Sequence, residues 1–177
     1  AGAANLVIGD TSDADSGMTF VTSTSGQGLI HFSDATSGNA RYDGFIGYEQ
    51  SNQAMKFGTA QTEQMRLTST GRLDLAKGIV DTTTTVSYAS SIALTLDNGA
   101  IQTVTLTGNV TFTDSLADGE AIVLMLNAGA SHTVTWTAVT KWVSSGGNVA
   151  PTLTANDTIV LWKIGSSVYA AYAGSFT

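Results

Sequence analysis

At 177 residues the chain is long enough for one domain or two small ones with a buried core. Its net charge of −7 and the lack of any basic run argue against nucleic acid as a partner, because phosphate binding needs clustered Lys and Arg. Cys is absent, which excludes disulfides and thiolate metal sites, and no apolar run approaches the roughly 20 residues of a membrane span.

Hydrophobic residues make up 42% of the chain and charged residues 12%, about half the usual quarter of a soluble domain. Thr is the most abundant residue, Gly occurs 19 times and Pro once. Thr and the other β-branched and aromatic residues favour strands, and Gly supplies their turns. The expected fold class is all-β. The chain opens on AGAANLVIGD, with neither an initiator Met nor a signal-like apolar stretch, and so reads as a piece of something longer.

From the N-terminus, NLVIG, GMTFVTS, LIHFS, GFIGYEQ, AMKFGT, QMRLTS and GRLDLA are short β-like runs separated by Gly, Ser, Asn and Asp. Their spacing is that of successive hairpins. Most are too short, with too few apolar residues, to enclose a core from one chain. GDTSDADSG places Asp10, Asp13 and Asp15 close together, as hard-oxygen ligands for Ca²⁺ would be, but the EF-hand order of ligands and Gly is missing. A solvated turn is the expectation there.

His31, Asp34, Arg41, Asp43 and Glu49 could be read as a hydrolytic or metal cluster. In a strand, however, residues three apart point to opposite faces, so His31 and Asp34 would not share an ion. The chain has two histidines and no H-x-H or H-E-x-x-H spacing. Pairing and turn-capping are the expected roles of these polar groups, and no cofactor is expected. The absence of Cys and of a G-x-S-x-G elbow removes the common nucleophile arrangements, so the chain is read as a non-enzyme.

AKGIVDTTTT, near residue 80, reads as a joint between a first domain (1–80) and a second (81–177). Residues 1–80 hold five basic and eight acidic side chains; in 81–177 only eight of 97 positions are charged. Such sparse charge suggests that much of the second half is covered by other copies of itself. There SIALTLDNG sets Ile92, Leu94 and Leu96 on one face before a turn at Asn98–Gly99. IQTVTLTGNVTFT predicts a hairpin of type II′ at Gly108–Asn109. EAIVLMLNAG is apolar on both faces and predicts a strand buried on both sides. HTVTWT and DTIVLWKIG follow, then SVYAAYAG after a Gly165–Ser167 turn. Seven or eight strands in this half predict a β-sandwich of jelly-roll-like form.

Trp136 and Trp162 lie in alternating strands and are expected in the core or a subunit interface. Trp142 lies in the polar loop sequence VTKWVSSGGNVAP, where an exposed ring could stack on a sugar. Lys141, Trp142 and Asn148 are therefore the candidate binding residues, against the alternative that Trp142 tucks under its loop. His132, at a strand start, is expected to be satisfied or exposed.

The run IHFSDATSGNARYDGFIGYEQSNQAMKFGTAQTEQMRLTSTGRLDL resembles a segment of bacteriophage tail fibres and tailspikes, in which I-x-F-x-D, a Gly-rich turn, R-Y-x-G-x-I-x-Y, a F-x-T step and M-R-L/I-x-x-x-G-x-L/V recur in order. LTLDNGAIQTVTLTGNVTFT, GEAIVLMLNAGASHTVTWT and APTLTANDTIVLWKIGSSVYAAYAG are similar to a small domain that closes many tail-fibre chains. The resemblance implies a homotrimer on the virion: an intertwined β-hairpin shaft or neck joined to the rest of the tail, then a tip that meets a host-surface glycan or outer-membrane receptor. A purely structural virion piece, or a polysaccharide-degrading tailspike, are the alternatives.

Overall fold

The computed structural model describes Ser12 and residues 15–177. The protein is all-β: 46% of it is strand, and among the described residues no helix reaches seven residues. The chain divides into two compact units between Ile79 and Val80.

The first unit is one antiparallel sheet. Its strands β1 (Gln27–Phe32), β2 (Gly44–Glu49), β3 (Ala54–Thr59), β4 (Thr62–Leu67) and β5 (Leu73–Leu75) neighbour one another in chain order. GMTFVTS, expected as a strand, is not one: residues 17–23 are irregular and almost wholly exposed, having no partner strand in register. NLVIG lies outside the described residues.

Strand alternation gives this sheet two unlike faces. On one, Ile30, Ile46, Phe57, Met65 and Leu75 form a row across all five strands, and Tyr48, Met55, Leu67 and Leu73 form a second. No charged side chain interrupts either row. On the other face Lys56 is buried beside Glu49, Glu63 and Arg66, and Phe45 covers Gly58 so closely that a Cβ at Gly58 would meet its ring. Apart from glycine, Ala54 is the only apolar residue buried in this unit among the described residues. Among the described residues this face is only partly covered: Phe20 lies over its edge at Gly28, while Ile30, Leu67 and Leu73 remain 42, 43 and 53% exposed.

The second unit has nine strands where seven or eight were expected. A six-stranded sheet runs β12-β14-β13-β10-β8-β6 and a three-stranded sheet runs β11-β9-β7. The strands are β6 (Thr83–Val86), β7 (Ser91–Leu94), β8 (Ile101–Thr105), β9 (Val110–Asp114), β10 (Ala121–Asn127), β11 (Val134–Trp136), β12 (Lys141–Val143), β13 (Asn156–Ile164) and β14 (Ser167–Ser175). From β6 to β12 the chain passes to the other sheet at every step, and the strands it stacks within each sheet run parallel. This is a two-sided coil of three rungs, not the antiparallel jelly-roll order expected from the sequence. Stacked positions fall 18 and 22 residues apart in one sheet (Thr83, Ile101, Val123) and 20 and 24 in the other (Ser91, Thr111, Thr135). The antiparallel hairpin β13–β14 then completes the larger sheet through a turn in which Gly165 takes φ +59°.

One expected turn is present and one expected hairpin is corrected. At Asn98–Gly99 a 3₁₀ turn (Leu96–Asn98) carries the chain from β7 in one sheet to β8 in the other, with Gly99 at φ +88°. The buried Gln102 amide donates to the carbonyls of Thr95 and Gly99 at 2.7 and 2.8 Å and ties this corner to the core. At Gly108–Asn109 the flanking strands again lie in different sheets, and Gly108 lacks the positive φ of a II′ turn. A turn signal marks where the chain reverses and not which sheet it enters.

Both sheets line one core. Leu94, Val104, Phe112, Leu124, Leu126, Ile159 and Leu161 are fully buried in it. Ile92, Phe112 and Trp136 stack rung upon rung, with the Phe112 and Trp136 rings 4.9 Å apart. β10 is buried on one face only, against expectation: Ile122, Leu124 and Leu126 are inside, whereas Val123 and Met125 are half-buried. Its other face belongs to the outer surface of the six-stranded sheet, where Ile101, Val123 and Val160 lie in register and Trp162 stacks on Tyr169 at 5.8 Å. That central surface carries no charged residue; Lys141 stands at its edge.

Candidate functional site

The polar residues of the first unit do not converge. His31 packs edge-on against Tyr42, Arg41 lies over the same ring, and Asp43 accepts a hydrogen bond from Gln61 at 2.9 Å. Asp34 is exposed. Asp15 is exposed in irregular chain, while Asp10 and Asp13 lie outside the described residues. Among the described residues no group of three or more His, Cys, Asp or Glu could hold a metal ion.

The exception is a charge lattice on the polar face of the first sheet. Arg66 grips Glu63 through two bonds of 2.7 and 2.8 Å and reaches Glu49 at 3.0 Å. A bulge at Gln64 is what turns Glu63 and Arg66, three apart, to one face. Glu63 is held below its ordinary pKa mainly by the Arg66 hydrogen bonds, and Glu49 mainly by the Asn52 amide, with Arg66 and Lys56 adding to it. A carboxylate depressed in this way stabilises the fold above its ordinary pKa of 4.5, and that contribution drains away as pH falls through the lowered value. Thermal melting of the chain should therefore lose stability below about pH 4.5, and Glu63→Gln should flatten the acid limb. An unchanged acid limb in that variant would show that the lattice contributes nothing measurable.

A concavity lies in the second unit, around the loop between β12 and β13. Its volume is about 510 Å³, and Trp142, Ser145, Val149, Pro151 and Tyr172 are among its walls. Register explains the assembly. Lys141, Trp142 and Val143 pair with Tyr169, Ala170 and Ala171 of β14, so Trp142 shares the inward face with buried Ala170 and Tyr172 follows directly along β14. Trp142 is half-buried and meets Trp136 edge-on at 5.4 Å. Asn148, at φ +51°, turns its side-chain oxygen back to accept from the Trp142 backbone N–H at 2.6 Å.

The three sequence candidates thus have three different placements. Trp142 walls the concavity, the Asn148 amide braces the loop, and Lys141 projects from the outer sheet face. Sequence reasoning missed Tyr172, Val149 and Pro151; Tyr172 lies 30 residues along the chain from Trp142 and carries no local signal. Behind Tyr172, the wholly buried Asp157 accepts from the Tyr172 hydroxyl at 2.9 Å, the Thr154 hydroxyl at 2.8 Å and the Thr154 N–H at 2.8 Å. The Asp157 hydrogen bond, with burial and the carboxylate charge, raises the Tyr172 pKa and keeps the phenol neutral. A smaller hollow of about 280 Å³ lies across the Ala150–Pro151 strap, walled by His132, Trp136 and Leu153.

Comparison with protein-family models, with curated proteins and with solved structures finds no match for the chain.

Proposed function

We propose that the chain is an adhesive end-piece of a bacteriophage tail fibre, a non-enzymatic homotrimer carried on the virion. Residues 1–80 form its shaft or neck, on the side that joins the rest of the tail, and residues 81–177 form a sandwich-like tip. The tip holds a host-surface receptor, a glycan, by non-covalent contacts at the loop after Trp142.

The observation that carries this reading is the first unit's sheet. A sheet with one uncharged, largely apolar face is normally buried on that side against another layer. Five strands of about six residues span a footprint on the order of 450 Å². Pressed against other copies, each such face would bury about 450 Å² in a dimer or a trimer alike, so further contact area must come from elsewhere on the chain. The uncharged outer face of the six-stranded sheet, and the resemblance of the 28–75 run to tail-fibre segments, support the same assembly. Three identical receptor sites would act together, so weak binding at each is enough.

A purely structural virion piece would share the partly covered sheet but would bind no cell. Adsorption of the labelled chain to a panel of intact bacterial strains separates the two. At least one strain should retain the parent, and Val149→Asp with Ser145→Asp in the loop should reduce retention at least tenfold. Retention by no strain, or retention indifferent to the loop, would favour the structural role.

A further inference from the structure

Resting on the reading of the Trp142 loop as the receptor site, we infer that its ligand is a neutral sugar and that acidic sugars and phosphates are rejected. The cleft has two kinds of wall. Trp142 and Tyr172 offer ring surface, and Val149 and Pro151 extend it, which suits the apolar C–H face of a pyranose. Ser144 and Thr152 place hydroxyls at the rim, able to donate to or accept from sugar hydroxyls.

No Lys, Arg or His lines the cleft. A carboxylate or phosphate gains its binding energy from charge-assisted hydrogen bonds, and an anion desolvated here would find no cation. The nearest basic side chain by sequence, Lys141, stands on the opposite face of its strand, in register with Tyr169. Behind the cleft no cation takes the place of the missing one. The fully buried Asp157 carboxyl has no Lys, Arg or His among its hydrogen-bond partners, and it is held by the hydroxyl of the ring that forms the wall. Selectivity therefore comes from what the site refuses as much as from what it contacts.

The test uses the full chain on immobilised oligosaccharides ending in glucose, galactose or N-acetylglucosamine, beside matched chains ending in glucuronate, sialate or a sugar phosphate. At least one neutral terminus should bind at least tenfold more tightly than every acidic one. Ser145→Lys, on the exposed loop, should raise binding of an acidic terminus at least tenfold while circular dichroism stays that of the parent. Acidic termini bound as tightly as neutral ones, or Ser145→Lys without effect on them, would overturn the charge inference and leave the adhesion reading intact. Binding of no sugar in the panel would overturn the cleft as a glycan site, and the glycan part of the proposed function with it.

Discussion

A chain carrying Ile30→Asp and Leu67→Asp should sediment as a monomer under conditions where the parent sediments as a trimer. Both side chains belong to the apolar face of the first sheet, in adjacent rows, and both are more than 40% exposed within one copy. In a monomeric protein such substitutions would change stability by less than about 0.5 kcal/mol and would improve solubility. If the face is a subunit interface, each copy forfeits about 1–3 kcal/mol of apolar burial from the exposed two-fifths of the two side chains, before the cost of desolvating two carboxylates. Over three copies that comes to about 4–8 kcal/mol, to which the six desolvated carboxylates add, enough to dissolve the assembly. Analytical ultracentrifugation at micromolar concentration reads the outcome directly. A parent chain that is itself a stable monomer would sink the assembly, and with it the main support for the shaft.

Phe112→Ala should be the most damaging single truncation in the second unit. Its ring is wholly buried, stacked on Trp136 and placed between the Ile92 and Trp136 rungs in the three-stranded sheet. Removing it leaves a ring-sized cavity that neighbouring rungs cannot close without breaking register. The expected loss is about 3–5 kcal/mol. For a unit of this size that corresponds to a fall of roughly 15–30 °C in the midpoint of its thermal transition. Urea titration followed by Trp fluorescence checks it. A loss below about 1 kcal/mol would mean that the coil tolerates cavities as loosely packed proteins do.

The strands themselves were legible because period-2 alternation of Val, Ile, Leu and Thr depends on neighbours in sequence. LIHFS, GFIGYEQ, AMKFGT, QMRLTS and GRLDLA each overlap an observed strand, and the absence of long helices among the described residues followed from the same composition. What escaped was connectivity. TLDNGA and LTGNVT carry ordinary turn residues, and nothing local says that the chain crosses to the other sheet; that is decided by where Leu94, Phe112 and Leu124 can all be buried at once. The rungs escaped notice as a repeat because their spacing drifts from 18 to 24 residues and their inward residues differ, Thr84, Gln102 and Leu124 occupying equivalent places. At the cleft, Trp142 stood out as an aromatic in a polar loop. Tyr172 did not, since its part depends on a parallel pairing between β12 and β14 that no sequence window contains. Asn148, named as a candidate contact, also braces the loop, a part visible only in the direction of its amide.

The pairing of β12 also fixes the order in which the protein can become competent. Within the sheet the strand bearing Trp142 has one neighbour, β14, which follows it in the chain and also supplies Tyr172. Rungs from β6 to β11 can wind as they leave the ribosome, each on the one before. The cleft cannot, for the strand that seats Trp142 and its Tyr172 wall come later in the chain. A chain cut short before β14 could hold three wound rungs and still leave Trp142 without the strand it pairs with.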